Sequence, residues 1–453
     1  MLTFKETIST IPALRFVYEN LNPCSSLGRK ELLQSCFITD VNELQTRFDE
    51  LEKMMIWYKT EKKHLEKVKQ LISSAQDIFG TLNRLKNNDT LDDVELFEIK
   101  KNALIMNELQ EILRATSFSI FQLLEVNEVI DILDPEKTRL PHFYIYSAYS
   151  KELTSMRNMV NKTADEDLLW QISKLENKIR QNLTSKLFPF VSHLEHNFIH
   201  IAKLDLLLAK IELAIKWNCC KPKISDTTTS YIGLVHPIVA QRLETENSKF
   251  QPIDITLNQE SCLITGANMT GKSIFLRSVA FCQWMFQFGF HIPAQNASIA
   301  PVEKIYFISG DSDTENTGLS SYVNEIFQIH KILQEMKTGV KMLVLADEFA
   351  RTTNPHEGRA LVTAFLEMMN HKNVICLVTT HFSNVEGTFQ RLRVRGIRWD
   401  KMEQIKTNPR ELNQYIDYQL EDDQEKTAPK EAVQIAELLD VDNSFISLVK
   451  KYL

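Results

Sequence analysis

Glycine is scarce in this chain, with 12 in 453 residues, and only Gly28 precedes position 80. So little of the residue that serves left-handed turns is the texture of a helical protein, most of all in the first half. Long apolar runs are missing as well. No stretch approaches about 18 uninterrupted apolar residues, and the opening Met1-Leu2-Thr3-Phe4-Lys5-Glu6 has no basic segment followed by a hydrophobic one. A membrane-spanning or exported protein is therefore not expected, and a cytoplasmic location follows by default. The seven cysteines, Cys24, Cys36, Cys219, Cys220, Cys262, Cys282 and Cys376, have no metal-ligand spacing and read as reduced structural thiols. Positive charge is also lacking: the net charge is −7, and residues 1–220 hold 28 Lys plus Arg against 31 Asp plus Glu. That excludes the broad basic footprint of a dedicated nucleic-acid binder, while leaving room for a local patch made by the fold.

What is present falls into two textures. Apolar and charged residues interleave from Val41 to about Leu85 and again from Glu95 to Thr116, the pattern of amphipathic helices. The longest stripe runs Ile172, Leu175, Ile179, Leu183, Leu187, Phe190, Leu194, Phe198, Ile201, Leu204, Leu208, Ile211, Ile215, every step three or four. It corresponds to roughly 65 Å of helix at about 1.5 Å per residue. Pro189 lies inside it, so a kink or break is expected near Phe188. Packing along the other helices of its own chain is favoured over a seam for a partner. After residues 220–228 short β-branched runs ("CLITG", "KIYFIS", "MLVLADE", "VICLVTTH", "LRVRGIRW") alternate with helical segments, the signature of an α/β domain with a largely parallel sheet. The polar Leu420–Lys430 stretch reads as a turn or loop before a last helix. At this length two or three domains are the prior. The division expected is a helical domain over residues 1–225 and an α/β domain over residues 226–453.

Three motifs carry chemistry. Gly266-Ala267-Asn268-Met269-Thr270-Gly271-Lys272-Ser273 fits the phosphate-loop pattern, with a strand-like run before it and a helix-like run after it. Glycines let backbone N–H groups turn toward phosphate oxygens, Lys272 reaches the β and γ phosphates of ATP, and Ser273 ligates Mg²⁺. "KMLVLADEFA" then places Asp347, to hold the Mg²⁺ through water, and Glu348, to polarise the attacking water, at a strand end. His381 follows the next strand-like run, where its side chain can reach the γ-phosphate or that water. In "GDSDTENTGLSSYVNEI", residues 310–326, Ser320 or Ser321 is suited to cap a helix, with Glu325 close behind; the functional alternative is that this helix start binds phosphate from another subunit's side.

The order "GANMTGKS", "DTENTGLSSYVNE", "LVLADEFARTTNPHEG" and "VTTHF" resembles the MutS family of ATPases, relatives of the ABC transporter ATPases in which two subunits sandwich two ATPs. "HPIV" at His236–Val239 and "FQPIDITL" from Phe250 are similar to the stretch before that family's phosphate loop, while "NPCSSLGRKELLQSCFITDVNELQTRFDELEKM" and "YSKELTSMR" resemble its helical core and lever. The resemblance implies a helical core and lever domain on an ABC-type ATPase domain with a mainly parallel sheet. It assigns Gly266, Asn268, Met269, Thr270, Gly271, Lys272, Ser273 and Ile274 to nucleotide, Ser273 and Asp347 to the metal, and Glu348, Lys272 and His381 to catalysis. By the same likeness Ser320 contacts the partner subunit's γ-phosphate and Phe250 lies against adenine. A dimer through the ATPase domains, with composite ATP sites, is implied. Ala267 stands where the family usually has Pro and Ile274 where it has Thr, and "ARTTNPHEG" is a loose version of its dimer-contacting loop.

The resemblance also marks omissions. Core-like sequence begins almost at residue 1, so a reduced form without the mismatch-reading and connector domains is expected. The three Phe-x-Glu strings (Phe4–Glu6, Phe48–Glu50, Phe365–Glu367) sit in helix-like contexts and read as accidental. Only about 15 residues separate "YSKELTSMR" from Ile172, too few for the family's β-rich DNA clamp. Three readings stay open: a DNA-processing role close to mismatch repair in which arms or partners still contact DNA, remodelling or reactivation of a protein client, and a mostly structural nucleotide-gated dimer with little turnover.

Overall fold

The computed structural model describes residues 2–160, 166–258, 260–267, 270–309, 321–399, 415–423, 432–438 and 441–452. Two compact units interleave along the chain. One comprises Met1–Ile11, Val17–Cys36 and Asp49–Leu213, the other Pro12–Phe16, Phe37–Phe48 and Ala214–Leu453.

Ahead of the first strand the described chain is helical: α1 Phe4–Ile8, α2 Pro12–Asn20, α3 Ser26–Gln34, α4 Val41–Thr60, α5 Lys62–Ser74, α6 Phe79–Lys86, α7 Asp93–Ala115, α8 Asn127–Leu133, α9 Lys151–Val160, α10 Glu166–Leu187 and α11 Val191–Lys216. Local signals start several of them. Asp92 accepts from the N–H groups of Val94 and Glu95 while the Glu95 side chain accepts from the Asp92 N–H, a capping box that satisfies otherwise orphaned donors. The long apolar stripe breaks where Pro189 predicts, in a 3₁₀ turn over Phe188–Phe190, because proline lacks the N–H and crowds the preceding turn. Leu183, Leu187, Leu194, Phe198, Ile201, Leu204, Leu208 and Ile211 all enter the helical core, roughly 1.5–3 kcal/mol of burial apiece. The stripe therefore packs within its own unit. Five residues, 161–165, separate α9 from α10, which leaves no length for a folded domain at that point.

A buried polar cluster lies inside this unit. Lys100 Nζ donates to Asp134 Oδ1 at 3.1 Å and to the Tyr146 hydroxyl at 3.0 Å, and the Lys100 and Asp134 side chains are 0% and 1% exposed. Burial alone raises the Asp134 pKa; the Arg139 N–H, Lys100 and Thr138 outweigh it and hold the carboxyl below its ordinary value.

The second unit carries ten strands among its described residues. A four-stranded sheet has the order β1-β5-β2-β3, from β1 Lys223–Ile224, β2 Thr229–Leu234, β3 Ile253–Leu257 and β5 Asn296–Ile299. A six-stranded sheet has the order β10-β9-β4-β8-β7-β6, from β4 Cys262–Thr265, β6 Lys304–Ser309, β7 Met342–Asp347, β8 Val374–Thr379, β9 Gln390–Ile397 and β10 Ile416–Asp422. The strands from β9 through β6 are parallel, and β10 is antiparallel at the edge. Helices α12 Pro237–Thr245, α13 Lys272–Gln287, α14 Ser321–Met336, α15 Pro355–Met369, α16 Ala432–Leu438 and α17 Asn443–Lys451 complete the unit. Strands β4, β7 and β8 are buried along their whole lengths, as parallel strands covered on both faces must be. The architecture is thus helical plus α/β with a mainly parallel sheet.

One expectation is corrected here. Leu420, read as the start of a polar turn, instead continues β10 through Asp422, pairing Leu420, Glu421 and Asp422 with Val394, Arg393 and Leu392. Polar residues are tolerated because β10 is an edge strand, where charge faces water without breaking the ladder. The phenylalanines of the three Phe-x-Glu strings are buried at 0%, 0% and 4% exposure for Phe4, Phe48 and Phe365, each inside a helix. All seven cysteines are unpaired. Among the described residues no helix is long and apolar enough to cross a membrane.

The Lys100–Asp134 pair generates a stability prediction. Asp134→Ala strands a buried ammonium and is expected to cost about 3–5 kcal/mol, whereas Lys100→Met combined with Asp134→Leu should come within about 2 kcal/mol of wild type. Urea unfolding at neutral pH measures both. Because the folded pKa of Asp134 is depressed, its contribution is present above the unfolded-state pKa and should fade as pH falls through the folded one.

Candidate functional site

The site lies at the carboxyl ends of β4, β7 and β8, where parallel α/β sheets place their ligands. Strand β4 ends at Thr265, and the chain turns through Gly266 at φ +144° and Gly271 at φ +82°. Gly271 occupies the N-cap position of α13 without a side-chain cap, and the N-terminal end of a helix favours an anion. A side chain at Gly271 would also be crowded from outside: its Cβ would lie 3.0 Å from the Tyr418 ring. Within the loop the Thr270 hydroxyl donates to the Ala267 carbonyl at 2.7 Å. Lys272, 4% exposed, donates from Nζ to the Gly266 and Ala267 carbonyls at 2.8 Å each.

Asp347 gathers the neighbouring elements. Its Oδ1 accepts from Ser273 Oγ at 2.9 Å and from Thr379 Oγ1 at 2.9 Å, tying the start of α13 and the end of β8 to the end of β7. Thr379 Oγ1 in turn accepts from the Glu348 N–H at 2.9 Å. The chain after β7 then takes an unusual course, with Glu348 and Ala350 both left-handed at φ 47° and 61°. Such conformations cost about 1–3 kcal/mol each in non-glycine residues and persist only where surroundings impose them. Two contacts do so: the Glu348 N–H bond to Thr379, and a 3.0 Å bond from the Ala350 N–H to Glu325 Oε2. Glu348 Oε2 accepts from Arg351 Nη1 at 3.0 Å.

His381 packs its ring on Phe382 at 4.3 Å. Desolvation lowers its pKa, opposed by Glu348 and reinforced by Lys272 and Arg351, so the imidazole is neutral at neutral pH. Beside the loop a cleft of about 450 Å³ is lined by Phe250, Gln251, Arg242, Gly271, Ile274 and Tyr418. Gln251 joins its walls, donating to Asp417 Oδ1 at 2.8 Å and accepting the Tyr418 N–H at 3.2 Å. Burial raises the Tyr418 pKa, which keeps the phenol neutral.

The structure thus groups Gly266, Thr270, Gly271, Lys272, Ser273, Asp347, Glu348 and His381 at one set of strand ends, and puts Phe250 and Ile274 in the adjoining cleft. Asn268, Met269 and Ser320 lie outside the described residues. Sequence reasoning passed over Thr379 and Tyr418. A hydroxyl two residues before His381 at a strand end was a usable signal for Thr379; nothing in "YIDYQLEDD" marks Tyr418, which reaches the cleft only because β10 doubles back on β9.

An unguarded helix N-terminus with a buried lysine beside it, and a hydroxyl–carboxylate pair across two strand ends, define the class: an α/β domain of the P-loop ATPase fold. Residues 262–453 match the family model of MutS domain V, so this part of the chain is similar to that domain. The chain is 30% identical over 255 residues to the DNA mismatch repair protein MutS of Methanococcoides burtonii, covering 54% of this chain and 28% of the relative. It is 28% identical over 300 residues to Endonuclease MutS2 of Ruminiclostridium cellulolyticum, covering 63% and 37%, and 34% identical over 182 residues to MutS of Thermus aquaticus, covering 40% and 22%. The matched region spans well under half the length of each of these relatives.

The loop geometry predicts that Gly271→Ala, which forces a Cβ into left-handed backbone against Tyr418, lowers stability by about 1–3 kcal/mol. Thermal melting without nucleotide measures it; an unchanged midpoint would contradict the strain.

Proposed function

We propose that this chain binds ATP with Mg²⁺ at the β4–α13 loop and hydrolyses it, and that two copies close over the nucleotides to drive movement of helical arms in DNA repair or processing. The observation that carries the reading is the 2.9 Å pairing of Ser273 Oγ with Asp347 Oδ1 next to the buried Lys272 ammonium. Hydroxyl and carboxylate oxygens are the donors a hard divalent cation takes, so Ser273 and Asp347 are the residues that would hold Mg²⁺, which when bound neutralises phosphate charge.

The chain's own groups have separable tasks. Backbone N–H groups between Gly266 and Ser273, with Asn268, Met269 and Thr270 among them, cradle phosphate. Lys272 exchanges its two loop carbonyls for β- and γ-phosphate oxygens. Glu348 orients the attacking water and accepts its proton, and neutral His381 hydrogen-bonds the γ-phosphate or that water. Phe250, Tyr418 and Ile274, which line the cleft, would contact adenine. Ser320 completes the site of the partner copy, as the family resemblance implies. The names of these relatives, mismatch repair proteins and an endonuclease, favour DNA over a protein client.

Two variants test this. Lys272→Ala should weaken ATP binding, whereas Glu348→Gln should bind ATP, sediment as a dimer with it, and turn over at least about 100-fold more slowly. Wild-type turnover in Glu348→Gln, or a monomer with ATP, contradicts the mechanism.

Mismatch reading needs a wedge and a bent duplex whose unstacking contacts must offset, and the described residues hold no exposed Phe-x-Glu wedge. Matched and G·T duplexes should therefore bind within about threefold of each other, less than about 0.7 kcal/mol, and should weaken with salt. Titration at two salt concentrations, with and without ATP, checks this, and a tenfold mismatch preference contradicts it.

A further inference from the structure

Glu325 is an acid without an evident reason to be buried. It sits near the start of α14 and is 2% exposed. Its Oε2 accepts from the Ala350 N–H at 3.0 Å, and its Oε1 is buried with no hydrogen-bond partner among the described residues. Burial raises its pKa, opposed by the Ala350 N–H and by Arg351. A carboxylate in such a place is costly, and satisfying one N–H does not require a charged group.

The donor's position explains it. Ala350 is two residues beyond Glu348, both are left-handed, and the turn between them decides where the Glu348 carboxylate points. The Glu348 N–H is held by Thr379 on β8. The other end of the turn is held by Glu325 on α14, a different element. Without the second tie, Ala350 relaxes toward ordinary right-handed or extended backbone, and Glu348 swings with it.

We propose that Glu325 is a positioning residue for ATP hydrolysis: through the Ala350 N–H it fixes the strained turn that aims Glu348 at the phosphate-loop face. The inference rests on the reading of this site as an ATPase, and assigns the reaction a residue that touches neither nucleotide nor water. An ångström of misplacement at a reacting group can cost about 100-fold in rate, so the effect belongs in kcat rather than in nucleotide affinity.

The test compares wild type, Glu325→Ala, Glu325→Gln, and Glu325→Ala combined with Ala350→Gly. It measures steady-state ATP hydrolysis, binding of a fluorescent ADP analogue and thermal melting. Glu325→Ala should lose at least about 20-fold in kcat while binding the analogue within about twofold of wild type. Glu325→Gln keeps an acceptor for the Ala350 N–H and should stay within about fivefold of wild-type kcat. Ala350→Gly removes the left-handed penalty and should restore at least about fivefold to Glu325→Ala.

Wild-type-like kcat in Glu325→Ala overturns the proposal and leaves the ATPase reading intact. Equal loss in the Ala and Gln variants, or lost analogue binding and melting with no rescue by glycine, makes Glu325 a general structural residue and also overturns it. A wild-type protein that binds the analogue but shows no turnover overturns the ATPase reading and the proposal together.

Discussion

A single oxygen, Asp347 Oδ1, organises the functional end of the sheet. It accepts hydroxyl hydrogen bonds from Ser273 and Thr379, so the first turn of α13, the end of β7 and the end of β8 converge on one point. Asp347 is only 8% exposed, and a carboxylate so placed is tolerable when charge-assisted hydrogen bonds surround it. The distances among the phosphate loop, the acidic pair and His381 follow from that convergence. Because β4 lies beside β8 and β8 beside β7, the parallel register brings residues far apart in the chain to the same edge.

Strain sits next to this anchor. Two left-handed non-glycine residues within three positions are expensive in isolation, and the surrounding fold holds them with one tie from β8 and one from α14. Strained backbone of this kind accumulates where a side chain has to be aimed. The same reasoning applies across the loop at Gly271, where a glycine is required twice over, by its φ and by the Tyr418 ring against it. The cleft beside Phe250 and the loop that starts α13 thus share Gly271 as a wall residue and constrain each other.

The helical unit rests on different physics. A long buried stripe, interrupted at Pro189, packs with residues of the preceding helices in one apolar core, and the Lys100–Asp134–Tyr146 cluster adds a buried polar contact within the unit. Its charges are nearly balanced in sign, with 28 Lys plus Arg against 31 Asp plus Glu over residues 1–220.

The phosphate loop, the Asp347–Glu348 pair and His381 could be read from the chain because their chemistry demands particular residues at short spacing beside a strand-like run. Helices α7, α10 and α11 could be read for a similar reason: their periodicity is local, and Pro189 breaks the stripe by covalent geometry alone. Tertiary structure decided the rest. Segments 12–16 and 37–48 join the second unit although they lie among helical sequence, because contacts, not order, define a core. Polar residues at the end of β10 become strand by pairing with β9, which carries Tyr418 to the cleft. Ala350 and Glu325 acquire their relation only when α14 packs near the end of β7. A hydrogen bond between residues 25 apart in sequence leaves no trace in composition or period, since its partners are chosen by the packing of the elements that carry them.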